Sequence, residues 1–129
     1  MGRRSRRRDR DRDRPAAPAA PDAEYADPEG NVLVLRGSLP PRARREYVRT
    51  LAGEGRVAGG EAAREDAWQR AVELLFERLA VRWTIAGLPL ERQAELIGRY
   101  RMASVEERAW VRGVLREHVA EHFPELQAP

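Results

Sequence analysis

Cysteine is absent from this 129-residue chain, which excludes disulfide bonds, thiolate metal sites and cysteine nucleophiles. Long apolar runs are absent too, since no stretch approaches the roughly 18 apolar residues that a membrane-spanning helix needs. No hydrophobic signal core follows the N-terminus. We therefore expect a protein that remains in the cytoplasm and contacts no membrane.

Lysine is also absent, and all 24 basic residues are arginine. Codon bias toward high GC content is a sufficient reason for this count, so arginine richness alone is weak evidence of nucleic-acid binding. Residues 1–14 carry eight Arg and three Asp, a net charge of +5; because the whole chain is +3, residues 15–129 carry −2. The basic character therefore belongs to the N-terminal segment.

The first 29 residues lack the apolar side chains that a core requires. An Arg/Asp-rich stretch is followed by a Pro/Ala-rich one, and such compositions bury too little surface to offset the entropy lost on ordering. We expect a disordered extension over residues 1–29 and one small helical domain over residues 30–129.

The ordered part is predicted to begin with a strand at Val32 to Leu35, after the turn signal Gly30-Asn31. We expect Ser38 to be the N-cap of the first helix, since serine is a preferred N-cap residue. Pro40 and Pro41 would then lie in the first helical turn, where proline is tolerated. Glycines then end this helix. The glycine-rich segment 53–60 lacks the Walker spacing and its Lys-Ser/Thr ending, so we interpret it as a linker.

The most apolar segment spans residues 68–85. Trp68, Val72, Leu75, Leu79 and Trp83 recur at helical spacing, which predicts an amphipathic central helix. From residue 81 to 85 the period changes to alternation, which favours a short strand that pairs with the first one.

Two further helices are predicted after this segment. The third runs from Leu90 to about Arg101 and opens at Pro89. The fourth runs from Val105 to about Phe123, because Ser104 and Glu107 form a capping box at its start. The fold class is therefore mainly α: a compact four-helix domain with a minor short β element.

Two histidines on the fourth helix suggest a metal site. His118 and His122 are four residues apart and project the same way, as in helical zinc sites, and the segment matches the H-x-x-E-H pattern of inverzincins. The sequence offers no third ligand at a suitable distance downstream. We interpret both as histidines near the negative end of a helix, where protonation is favourable, and keep them as candidate ligands.

No residue has an assignable catalytic role, because no pair of carboxylates is isolated in an apolar setting. We expect no enzymatic activity and no cofactor. Trp68, Trp83 and Trp110 lie on apolar stripes and are expected in the core. Tyr47, Tyr100 and Phe123 are expected at partly exposed edges, where they would contact a partner.

The order of the predicted elements resembles that of the small tail assembly chaperones of siphophages. The resemblance rests on the strand between Gly30 and Gly37, a basic helix, a long middle helix and the stretch Val81-Arg82-Trp83-Thr84-Ile85-Ala86-Gly87-Leu88-Pro89-Leu90. It covers roughly residues 30 to 100. It implies a non-enzymatic helical protein that binds a tape measure protein during tail assembly. The Arg/Asp extension and the capped last helix depart from that pattern.

The sequence thus predicts a protein-binding adaptor or assembly chaperone that acts through an apolar helical face. The alternative is a nucleic-acid accessory protein that contacts phosphates through its tail arginines. In that case the contacts come from Arg3, Arg4, Arg6, Arg7 and Arg8. Self-association into a homo-oligomer remains open.

Overall fold

A computed structural model describes residues 20–53 and 60–129. Within these ranges the chain forms two hairpins, each followed by two helices. The elements in chain order are β1 (Ala23–Ala26), β2 (Val32–Leu35), α1 (Pro41–Leu51), α2 (Glu61–Leu79), β3 (Ala80–Ile85), β4 (Leu88–Leu90), α3 (Gln93–Arg101) and α4 (Val105–His122). No helix in the described part of the chain is both long enough and apolar enough to cross a membrane.

The four strands form one antiparallel sheet in the order β1-β2-β3-β4. The predicted pairing of the first strand with residues 81–85 is confirmed, since Leu33 lies opposite Trp83. The four helices are also confirmed. The β part is larger than the expected minor element, because each predicted strand gains an outer neighbour.

The strand β1 lies inside the segment that was expected to be disordered. Tyr25 pairs with Leu33 of β2, so the expected boundary at residue 30 is wrong for this strand. Its sequence, Ala-Glu-Tyr-Ala, contains no β-branched residue and follows a proline-rich stretch, so local propensity gives no strand signal. The preceding residues 1–19 lie outside the described ranges.

The second hairpin turns at Ala86 and Gly87, whose φ angles are 51° and 78°. Two consecutive positive φ values define the two-residue type I′ turn that suits the twist of antiparallel strands. Pro89 and Leu90 therefore belong to β4, and α3 begins at Gln93. The prediction of a helix from Leu90 is wrong, because the turn returns the chain to the sheet.

Asn31 connects the two hairpin turns. Its side-chain oxygen accepts a hydrogen bond from the backbone N–H of Ala86 at 3.0 Å. The carboxylate of Asp27 accepts the backbone N–H groups of Glu29 and Asn31, at 2.8 and 2.9 Å. These bonds hold the turns side by side, and they help to retain the left-handed conformation of Ala86, which is unfavourable for a residue with a Cβ.

The core lies between the sheet and the helices. Tyr25, Leu33 and Trp83 lie opposite one another across β1, β2 and β3, and therefore share a face. Phe76 of α2 contacts Trp83 edge-on with ring centroids 5.7 Å apart, and it stacks on Tyr100 of α3 at 4.9 Å. Phe76 is fully buried, although the stripe read from the sequence does not include it.

The predicted core tryptophans differ in burial. Trp83 is 2% exposed, which confirms its core position. Trp68 and Trp110 pack against the core but are only half-buried. Arg112 covers the ring of Trp68, with its guanidinium carbon 5.1 Å from the ring centroid. These two rings lie at the margins of the core.

The helix starts differ from one another. Ser104 caps α4 as predicted, since its hydroxyl accepts the N–H of Glu107 while the Glu107 carboxylate accepts the N–H of Ser104, both at 3.1 Å. Ser38 does not cap α1. The N-cap residue of that helix is Pro40, which provides no side-chain hydrogen bond, and Ser38 precedes it by two residues.

Replacement of Ser104 by alanine should lower the free energy of unfolding by about 1 kcal/mol, since the N-cap bond to the Glu107 amide is lost. Ser38→Ala is the matched control and should change stability by much less. Chemical denaturation of the two variants measures both effects. Equal losses would show that the capping box does not contribute as the geometry indicates.

Candidate functional site

The three predicted partner residues are buried. Tyr47 is 1%, Tyr100 is 7% and Phe123 is 1% exposed, so the expectation of partly exposed edges is wrong. The Tyr47 hydroxyl donates to the carbonyl oxygen of Gln127 at 2.5 Å, and burial raises the pKa of Tyr47 to about 12. The C-terminal segment covers this ring. That these three residues contact a partner stays a prediction, but the exposure of their side chains on which it was based is absent.

His118 is fully buried, and both of its ring nitrogens form hydrogen bonds. Nε2 lies 2.7 Å from the carbonyl oxygen of Arg36. Because a carbonyl only accepts, Nε2 carries the proton and donates. Nδ1 then accepts from the hydroxyl of Tyr25, 2.8 Å away. This arrangement assigns a single neutral tautomer.

Burial lowers the pKa of His118, and the Arg36 carbonyl only partly opposes this effect. Burial also raises the pKa of Tyr25 to about 12, with further contributions from the negative charges of Glu121 and Glu117. The expectation that both histidines lie where protonation is favourable is therefore wrong for His118, because desolvation acts in the opposite direction.

The histidine pair forms a packed contact. The rings of His118 and His122 lie 4.3 Å apart between centroids. Metal binding by His118 would require it to release its bond to Tyr25 or to Arg36. Within residues 20–53 and 60–129, no group of three or more His, Asp or Glu side chains is placed to hold a metal ion. The pair is therefore a structural contact in this arrangement.

A groove of about 570 Å³ opens next to Trp83; we call it the tryptophan groove. It lies between the β1–β2 turn, the end of β3 and the start of α4. Its lining residues are Asp27, Pro28, Glu29, Asn31, Trp83, Ile85, Arg99, Ser104, Glu106, Glu107 and Trp110. The capping box and the Asn31 bridge therefore shape two of its walls.

Trp83, which lines this groove, has one polar atom without a hydrogen-bond partner. Its indole Nε1 is buried and has no hydrogen-bond acceptor within the described ranges. An unpaired buried donor costs about 1–3 kcal/mol. Arg99 covers the ring, with its guanidinium carbon 5.3 Å from the centroid.

The charge of the tryptophan groove is mainly negative. Four carboxylates and one guanidinium line it, which is a formal net charge of −3. Arg99 pairs with Glu107 at 2.5 Å. The backbone N–H of Ser104 is the main reason that the pKa of Glu107 lies below its ordinary value, and Arg99 adds to this effect. The groove therefore favours a ligand that carries positive charge.

Apolar side chains project beside this groove. Met102 is 85% and Val105 is 82% exposed. Met102 lies in the connection from α3 to α4, and Val105 begins α4 between the lining residues Ser104 and Glu106. Sequence patterns miss this surface, because its members come from a turn and a helix start that belong to no apolar stripe.

No family model, curated protein or solved structure matches this chain. The role proposed for the tryptophan groove therefore rests on the geometry of the groove itself. The tail residues Arg3, Arg4, Arg6, Arg7 and Arg8 lie outside the described ranges, as do residues 54–59 of the glycine-rich linker.

The buried His118 predicts a specific pH dependence. Its folded-state pKa lies below the ordinary value of 6.5, so its contribution to stability is complete above about pH 6.5 and is lost as the pH falls toward the folded-state pKa. We expect the free energy of unfolding to decrease by up to about 1.4 kcal/mol per pH unit below that point. Denaturant titrations across this range measure the slope.

The control for this experiment is the neighbouring histidine. His118→Gln should be less stable than the parent but should lose most of the slope, whereas His122→Gln should keep it. A parent slope that disappears in His122→Gln and persists in His118→Gln would contradict the assignment.

Proposed function

We propose that this protein is a non-enzymatic adaptor or assembly chaperone that binds a segment of a partner protein. The observation that carries the proposal is the tryptophan groove together with its exposed rim. Met102 and Val105 are among the most exposed large apolar side chains of the described residues, and Val105 lies between two residues that line the groove, Ser104 and Glu106.

The apolar stripes of the longest helices support this choice of surface. The expected contact was an apolar face of the central or last helix, yet Val72, Leu75 and Leu79 of α2 are buried, as are Val111 and Leu115 of α4. These helix faces are therefore buried in the core and are not exposed to a partner. The apolar surface beside the α3–α4 connection is free for a partner, and covering a Met or Val side chain contributes about 1.5–3 kcal/mol when burial is complete.

The groove favours particular partner chemistry. Apolar side chains would cover Met102, Val105 and the exposed part of Trp110. An Arg or Lys of the partner would pair with Glu29 or Glu106 at the negative wall. A basic amphipathic helix provides both features on one face.

The resemblance to siphophage tail assembly chaperones implies one candidate partner, a tape measure protein. This partner is part of the proposal and has no support beyond the resemblance. The groove itself requires only a segment with apolar and basic residues, and a second copy of this chain is the competing occupant.

Substitutions on the rim test the proposal. Val105→Gln removes an apolar side chain from an exposed position without changing the charge of the groove, so the fold should persist. Combined with Met102→Gln, it should weaken partner capture from the native host at least about tenfold, as expected when about 1.4 kcal/mol of contact is lost. Quantitative mass spectrometry of captured proteins measures the change.

Val48→Gln is the matched control, because Val48 is 51% exposed and lies on α1, away from the tryptophan groove. It should leave capture unchanged. Capture that is equal for the rim variant and the parent would refute the assignment of this surface. Concentration-dependent self-association that the rim variant abolishes would instead identify a second copy as the occupant and refute a separate partner.

A further inference from the structure

A second groove, of about 800 Å³, opens where β2 leads into α1; we call it the arginine groove. It shares no lining residue with the tryptophan groove. Its walls come from the β2–α1 connection, one side of α1 and the end of α2. The lining residues are Arg36, Ser38, Pro40, Arg42, Ala43, Glu46, Arg49 and Arg78.

The charge of this groove is positive and largely uncompensated. Arg36, Arg42 and Arg49 are exposed, and none forms an ion pair within the described ranges. The fourth arginine, Arg78, pairs with Glu46 at 3.2 Å. Four guanidinium groups and one carboxylate leave a formal charge of +3, in a body whose net charge outside the N-terminal segment is negative.

The fold concentrates these arginines from separate parts of the sequence. Arg36 ends β2, Arg78 lies at the end of α2, and Arg42 and Arg49 are two turns apart on α1. The first turn of α1 contains no acidic residue and has no side-chain cap. The positive end of the helix dipole therefore adds to the same potential.

The first described residues of the chain lie beside this groove. Gly37 lies between Arg36 and the lining residue Ser38, and a Cβ added at Gly37 would lie only 2.4 Å from the carbonyl oxygen of Pro21 and 2.5 Å from that of Ala20. Only glycine permits this approach. Residues 20 and 21 therefore lie next to the β2–α1 connection. The segment 1–14, which carries a net charge of +5, precedes them in the sequence.

We propose that the arginine groove binds the phosphodiester backbone of duplex nucleic acid without sequence preference. Guanidinium groups match phosphate oxygens geometrically. No aromatic residue lines the groove, whereas proteins that bind single strands combine basic grooves with aromatic stacking platforms. Contacts limited to phosphates position a protein on a duplex but do not read its bases. This proposal is independent of the partner proposed above.

Binding of a fluorescent duplex of about 20 base pairs to the full chain, measured by anisotropy over a range of salt concentrations, tests the proposal. Arg42→Gln with Arg49→Gln should reduce the salt slope of log K by about 2. The parent should then lose about tenfold more affinity than this variant between about 50 and 200 mM salt. Arg36→Gln gives an independent measurement, with an expected reduction of about 1.

Arg70→Gln with Arg92→Gln is the control, because it makes the same change in net charge at exposed residues elsewhere. Its slope should equal that of the parent. Glutamine at Arg3, Arg4, Arg6, Arg7 and Arg8 should reduce the slope while the groove variant still has its effect in that background. Thermal unfolding of each variant verifies that the fold is retained.

Three results would overturn the proposal. The first is the absence of duplex binding at low salt, and the second is equal salt slopes for the groove variant and the parent, which would place binding in the N-terminal segment alone. The third is equal affinity for a single strand of the same length, which would refute the assignment to a duplex.

Discussion

The buried His118 holds together parts of the chain that are far apart in sequence. Its two hydrogen bonds connect α4 to Tyr25 in β1 and to the carbonyl of Arg36 at the end of β2. A buried imidazole is tolerated only when its polar atoms are paired. The last helix therefore requires the first strand, and the four-residue β1 gains a tertiary partner that its weak local propensity does not provide.

One of these hydrogen bonds connects the core to the arginine groove. The carbonyl of Arg36 accepts from the buried His118, while its side chain lines that groove. On the same face of the sheet, Leu33 pairs with Trp83, which lines the tryptophan groove. One groove is negative with an apolar rim, and the other is positive and lacks aromatic residues. The two proposed ligands, a basic protein segment and a phosphate backbone, would therefore occupy different surfaces.

Sequence patterns predicted the four helices, the two central strands and the capping box at Ser104, since each depends on residues close in the chain. The pairing of the two central strands joins distant parts of the chain, and it was expected only because each predicted strand needed a partner. Sequence patterns did not predict the strands β1 and β4. The residues Ala-Glu-Tyr-Ala carry no strand signal, and Pro89 fits a helix start as well as an edge strand. In both cases pairing with a neighbouring strand decides the structure, and a local pattern contains no information about that neighbour.

The sequence by itself determined the helical content, the absence of cysteine chemistry and the concentration of arginine in residues 1–14. Only the tertiary structure decided which side chains are available for binding. Tyr47, Tyr100 and Phe123 are apolar enough to suit a contact surface, yet the core covers them, while Met102 and Val105 remain exposed. Exposure depends on what packs over a residue, and the arginine groove exists because β2, α1 and α2 bring Arg36, Arg49 and Arg78 together across 42 positions of sequence.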